Sequence, residues 1–185
     1  MSHQFNQITP TDHFGWHAAY LEVYEKLFEP FKAKDEVGMT IAMLEIGTDG
    51  GGGLRMYQDY FRDGMIYGID IAPTPDAARD QHRIMHLQAD AYTTSMVDSW
   101  KQFCPSLFDI IIDDGPHTIG SQEFFVQHYP HLLSPDGIAI VEDIQDWNHV
   151  AHLAKLVPDG FFTMGIDLRH VNGRYDDILL AIWRK

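Results

Sequence analysis

The apolar positions of this chain change period repeatedly, and the changes predict its elements. Trp16, Tyr20, Val23, Tyr24, Leu27, Phe28 and Phe31 fall three and four apart, with Glu22, Glu25, Lys26 and Glu29 on the other face. That spacing predicts an amphipathic helix ending near Pro30, after a polar, extended stretch over 1–13 that holds Pro10. Lys32 to Met39 reads as a charged connector closed by a glycine. Short apolar runs then recur at Thr40 to Gly47, Met65 to Ile71, Ile84 to Leu87, Phe108 to Asp113 and Gly137 to Asp143. All five read as strands, and the last two, Asp109 apart, as strands buried on both faces. Helical spacing fills the gaps: Leu54, Tyr57, Tyr60 and Phe61; a short polar helix after Pro73 and Pro75; a helix through Trp100; and Ser121 to Leu133, with Phe125, Tyr129 and Leu132 inward and Pro130 distorting the last turn. A sixth helix is expected near His149 to Leu156, and Leu133 to Gly137 is expected to be a turn. Phe161 to Leu168 and Asp177 to Trp183, joined through Asn172-Gly173, look like a closing antiparallel pair.

Strand and helix alternating in this way predict a doubly wound α/β sheet with right-handed crossovers. One domain over 1–185 is expected, with an N-terminal arm and helix over 1–39 and the sheet core over 40–185. Composition changes the picture in two ways. The 27 acidic against 13 basic residues leave no basic face, which argues against nucleic acid or an anionic membrane as partner. A lone cysteine, Cys104, no signal pattern in Met-Ser-His-Gln-Phe-Asn and no apolar run near ~18 residues point to a soluble, cytoplasmic protein.

Candidate chemistry gathers where the strands end. Glu45-Ile46-Gly47-Thr48-Asp49-Gly50 joins the first strand to the first crossover helix, and Asp70 follows Gly50 by twenty residues at the tip of the second strand. A carboxylate there can take both hydroxyls of a ribose, and the glycines let a nucleotide approach the backbone; glycines in a tight turn are the plainer reading of the loop alone. Asp49 stands where a nicotinamide fingerprint has its second glycine. An acidic loop repels a pyrophosphate but attracts the sulfonium and ammonium of S-adenosylmethionine, and Glu45 acts in the same sense. Asp90 and Ala91, after the third strand, could offer an acceptor and an N–H to the adenine; capping the next helix is the competing role for Asp90.

At the other end Asp114, Glu142 and Asp143 bring carboxylates to one rim, with Asp113 as the strand's end and its support beside the cofactor. Such a group needs a proton or a cation, and oxygen ligands favour Mg²⁺ or another hard divalent ion. Solvated strand ends in an acidic protein are the alternative. His117, on a turn stiffened by Pro116, could accept a hydroxyl proton near neutral pH. His13 and His17 flank the N-terminal helix entry, where Asp12 reads as a cap.

These residues carry a likeness. Thr11-Asp12-His13 with Tyr20 and Tyr24, Leu44-Glu45-Ile46-Gly47, Tyr67-Gly68-Ile69-Asp70, Asp113-Asp114-Gly115-Pro116-His117 and Val141-Glu142-Asp143 resemble class I S-adenosylmethionine-dependent methyltransferases. The chain is most similar to the metal-dependent sugar O-methyltransferases of macrolide and tetracenomycin-type antibiotic pathways. The resemblance implies a seven-stranded, Rossmann-like sheet and Mg²⁺ on Asp114, Glu142 and Asp143. It also implies His117 as general base, Glu45, Gly47, Asp70 and Asp90 at the cofactor, and a sugar-like hydroxyl as acceptor. Where the family has a lysine, this chain has His13. The antibiotic enzymes carry further segments, so the acceptor here is expected in an open cleft or enclosed by another subunit of a homo-oligomer. Rival readings are methyl transfer without a metal, a cofactor-binding module without catalysis, and a nicotinamide oxidoreductase.

Overall fold

The structure, a computed structural model, describes residues 18–104 and 107–185. Expectations for Pro10, Thr11, Asp12, His13, Trp16 and His17 lie outside the described residues. Helix α1 (Ala18–Glu36) precedes strand β1 (Ala42–Ile46), α2 (Gly52–Tyr60), β2 (Met65–Asp70), β3 (Ile84–Gln88), α3 (Thr94–Phe103), β4 (Phe108–Asp113) and α4 (Ile119–His128). Then come β5 (Leu133–Val141), α5 (Trp147–Leu156), β6 (Phe161–Asp167), the single turn α6 (Arg169–Asn172) and β7 (Ile178–Arg184). The strands form one sheet in the order β3-β2-β1-β4-β5-β7-β6, with β7 alone antiparallel to its neighbours. This is the doubly wound sheet with a closing antiparallel hairpin that the periodicity predicts. The expected polar helix after Pro75 is only a 3-10 turn, Asp76–Ala78.

Alternation along the central strands feeds two cores. Met43, Ile110, Ile112 and Ile140 face α1 and α2, where Tyr24, Phe28, Leu54 and Tyr57 pack. Leu44, Ile46, Ile111 and Val141 face α3, α4 and α5 through Trp100, Phe125 and Leu153. A helix layer on both faces is why these strands read as continuous apolar runs. No helix among the described residues is long and apolar enough to cross a membrane.

Two local expectations are corrected, and one polar exception is explained. Helix α1 does not stop at Pro30 but runs through it to Glu36, so most of the expected connector is helical. An interior proline costs ~3 kcal/mol or more. The residues beyond it offset that cost, because Phe31 is buried and the fully buried Asp35 carboxylate accepts the N–H groups of Arg62 at 2.8 Å and Asp63 at 2.9 Å. The chain turns only at Gly38, with φ 84°. Second, Leu133 already pairs with Phe108, and the register resumes at Ile110 opposite Ile138, so the expected turn is an irregularity within β5. Asp109, the polar exception of β4, accepts the Ala42 N–H at 3.0 Å and the Ser134 hydroxyl at 2.9 Å, tying the starts of β1 and β5 to its own strand.

Candidate functional site

Sheet order reverses between β1 and β4, because the chain leaves β1 toward β2 on one side and reaches β4 on the other. Ligands of open α/β sheets bind in the crevice at such a point, beyond the carboxyl ends of the strands. A cleft of about 820 Å³ lies there, walled by the segments that follow β1, β2, β3 and β4. Gly47 closes its floor. It has φ 80°, and a Cβ on it would sit 2.1 Å from the backbone oxygen of Asp114. The Asp70 carboxylate clamps the next turn, accepting the N–H groups of Thr48 at 2.8 Å, Asp49 at 3.2 Å and Ala72 at 2.8 Å. Burial would raise the Asp70 pKa, but these three donors outweigh it and hold the group below the ordinary carboxylate value.

Of the residues assigned to a cofactor from sequence, Gly47, Asp49, Asp70, Asp90 and Ala91 line this cleft. Glu45 and Asp113 lie behind its wall, 1 % and 2 % exposed. The Glu45 carboxylate fits against the first turn of α2 only because residue 53 is glycine; a Cβ there would meet Glu45 Oε1 at 2.1 Å. A carboxylate at a helix N-terminus is favoured by the exposed N–H groups and the helix dipole. Asp90 accepts the Tyr92 N–H at 2.9 Å, and the cap of α3 is Thr93, which accepts from Met96. Capping is therefore not the role of Asp90.

Asp113 accepts the Tyr92 hydroxyl at 2.5 Å on one oxygen, while its other oxygen has no hydrogen-bond partner. Burial pushes its pKa up to about 7, against the hydrogen bonds from Tyr92 and Gly115 that favour the anion. Below the ordinary carboxylate pKa both folded and unfolded forms are protonated. Between about pH 4 and 7 only the folded form holds the proton, so stability falls as pH rises through that window. Urea unfolding in EDTA should show the wild type losing up to about 4 kcal/mol relative to Asp113→Asn between pH 4 and 7, and nothing further above. Parallel pH profiles would contradict this.

The acidic end is built by β4, β5 and α1 together. His117 Nε2 stands 3.8 Å from both Asp114 Oδ1 and Asp143 Oδ2. One ligand atom from each of Asp114, His117 and Asp143 lies within 4.8 Å of the others. Glu142 faces inward, accepting the Tyr24 hydroxyl on Oε1 while its buried Oε2 has no partner. Burial, and then the neighbouring Asp114, push its pKa well above the carboxylate range. Tyr20, one turn before Tyr24 on the same face of α1, donates to Asp143 Oδ1 at 2.6 Å. His117 and Asp143 both take left-handed backbone, φ 52° and 49°. Non-glycine residues are held there at roughly 1–2 kcal/mol each. The Gln122 side chain of α4 helps to hold the second, donating to the Glu142 carbonyl at 3.1 Å.

This donor set suits a hard divalent cation: Asp114 and Asp143 cluster with His117, and the neighbouring Glu142, with one oxygen without a partner and a carboxyl forced toward its neutral form, also gains from positive charge. Sequence reasoning placed Asp114, Glu142, Asp143 and His117 on one rim; the structure brings Asp114, His117 and Asp143 together, while Glu142 lies beside them with its carboxylate buried. That reasoning assigned no contact to five supporting residues. Tyr20 and Tyr24 stand in the apolar stripe and among the marks of the resemblance, but spacing alone does not show that their hydroxyls reach Asp143 and Glu142. Tyr92 lines the cleft. Gln122 carries no local signal, and Arg174, which lines the cleft, reads in the sequence as part of the Asn172-Gly173-Arg174-Tyr175 connection that could touch a substrate.

No protein-family model matches the chain. Among curated proteins it is 35 % identical over 147 residues to 8-demethyl-8-alpha-L-rhamnosyl tetracenomycin-C 2'-O-methyltransferase of Streptomyces olivaceus, covering 73 % of this chain and 35 % of that one. It is 31 % identical to mycinamicin VI 2''-O-methyltransferase of Micromonospora griseorubida, covering 72 % of this chain and 33 % of the relative. The chain thus spans about a third of the length of the curated relatives it matches. Among solved structures, MycE methyltransferase in complex with Mg, SAH and mycinamycin VI superposes with TM-score 0.63 at 28 % identity, covering 75 % of this chain and 38 % of that one.

Proposed function

We propose, from the premise that this chain has the fold of the class I S-adenosylmethionine-dependent methyltransferases and is related to the sugar O-methyltransferases among them, that it methylates a hydroxyl of a sugar or similar polyol. The observation that carries this reading is the meeting of Asp114, His117 and Asp143 at one end of a cleft whose other end is the glycine loop clamped by Asp70. Gly47, Asp49, Asp70, Asp90 and Ala91 would hold S-adenosylmethionine, which supplies an electrophilic methyl on a sulfonium leaving group. Glu45 and Asp113 act from behind the wall, by charge and by positioning Tyr92. Asp114, Glu142 and Asp143 would hold Mg²⁺, which supplies Lewis-acid polarisation and orientation of an acceptor oxygen.

The remaining work falls to the chain's own groups. His117, with 30 % of its side chain exposed beside two carboxylates, takes the hydroxyl proton on Nε2. Tyr20 fixes Asp143 at the rim and Tyr24 fixes Glu142 just behind it, so that each carboxylate keeps its orientation. Ile46, Ile69 and Pro116 keep the wall of the cleft apolar, which strengthens the electrostatics inside it.

The test is transfer of a labelled methyl group from S-adenosylmethionine to a panel of rhamnosyl and deoxysugar glycosides, in Mg²⁺ or EDTA. Transfer that EDTA abolishes and excess Mg²⁺ restores is expected. Undiminished transfer in EDTA would remove the metal from the reading. Calorimetric binding of NAD without binding of S-adenosylmethionine would remove the methyl transfer itself.

A further inference from the structure

Arg174 lines two cavities. One is the main cleft; the other is a shallow depression of about 590 Å³ formed with Asp167, Arg169, His170, Gly173 and Tyr175. Five carboxylates, Asp49, Asp70, Asp90, Asp114 and Asp143, line the main cleft, and among the described residues Arg174 is the one lysine or arginine that does. The left-handed Gly173, φ 75°, ends α6 and leads the chain into Arg174. Its guanidinium lies 3.7 Å from Asp143 Oδ2, 3.2 Å from Asp176 Oδ1 and 3.5 Å from Asp177 Oδ1. The Asp177 carboxylate is fully buried and neither oxygen has a hydrogen-bond partner, so this contact supplies its charge compensation. The neighbouring cation, Arg169, is instead paired with Asp167 at 2.6 Å.

We infer that Arg174 is a positioning residue that serves as the resident counter-cation of Asp143: it holds that carboxylate while the site is metal-free and competes with a divalent cation for it. The inference rests on the metal reading proposed above. A buried carboxylate beside Asp114 and Glu142 needs a positive neighbour. At 3.7 Å the Arg174–Asp143 pair is an ion pair too long to be a hydrogen bond, which a doubly charged ion bound directly to the oxygen outcompetes. The positive charge of Arg174 then opposes metal entry, so it sets the concentration at which the site fills.

Titration calorimetry with MgCl₂ alone is expected to show Arg174→Gln binding about tenfold more tightly than wild type, and Arg174→Lys, which keeps the charge, close to wild type. In EDTA the Arg174→Gln protein should melt below wild type, and saturating Mg²⁺ should narrow that gap without closing it, because Asp143 regains a cation and Asp177 does not. Unchanged or weaker Mg²⁺ binding by Arg174→Gln, with an equal melting deficit in EDTA and in Mg²⁺, would mean that Arg174 only braces its loop and would overturn the inference while leaving the metal reading intact. Absence of Mg²⁺ binding by wild type and variant alike would overturn both.

Discussion

In His117→Ala, turnover falls by about 10²–10⁴, the contribution of a well-placed general base, while binding of S-adenosylmethionine and of Mg²⁺ stays near wild type. The second half of that expectation carries the weight, because the geometry gives His117 two available roles. Its Nε2 stands 3.8 Å from each of two carboxylates and belongs to the one cluster of metal-ligating atoms found among the described residues. A ligand would take Mg²⁺ affinity with it when removed; a base would not. Calorimetry on the variant separates the two, and a Mg²⁺ affinity reduced in step with turnover would reassign His117 to the metal. Stability gives an independent readout. At φ 52° an alanine keeps the strain that a glycine relieves, so His117→Gly should be more stable than His117→Ala by about 1 kcal/mol in urea, although both are inactive. Catalytic placement and backbone comfort then conflict at this position.

Gly47→Ala loses both the cofactor site and a large share of the folding free energy. The left-handed backbone costs an alanine ~1–2 kcal/mol, and its Cβ would stand 2.1 Å from the Asp114 carbonyl oxygen, a backbone atom held by the sheet. Moving Asp114 disturbs the acidic rim, and moving Gly47 opens the loop held by Asp70. A destabilisation of ~3 kcal/mol or more is expected, with weaker binding of S-adenosylmethionine measured by calorimetry. Gly50→Ala is the control: a Cβ there meets nothing within 4 Å, and the change should stay within about 0.5 kcal/mol. Equal stability of the two variants would contradict the close approach of β1 and β4.

Much of the fold was legible because each element advertises a period. The runs ending at Gly47, Asp70, Asp113 and Asp143 are apolar on both faces because helices cover both faces, and that requirement shows in any short window. Three of these runs end in acid because the strand ends of such a sheet carry its ligands, so Asp70, Asp114, Glu142, Asp143 and His117 could be named as candidates from spacing. Pro30 was misread because the local cost of an interior proline is visible in sequence. The burial of Phe31 and the two N–H groups taken by Asp35 are not, since their partners lie on α2 and just after it. Arg174 looked like part of a hairpin connection for the same reason: its charge acquires meaning only from Asp143, thirty-one residues away.

Taken alone, the sequence determined the order and type of the elements, the acidic character of both strand-end clusters and the oxygen-rich donor set, because these follow from local periodicity and from residue chemistry. Tertiary structure alone decided how the carboxylates divide. Asp114 and Asp143 reach the cleft, while Glu45, Asp113 and Glu142 are buried behind it on α2, Tyr92 and Tyr24. The physical reason is that a carboxylate's role depends on its dielectric surroundings and its hydrogen-bond donors, and here those donors come from helices and loops distant in sequence.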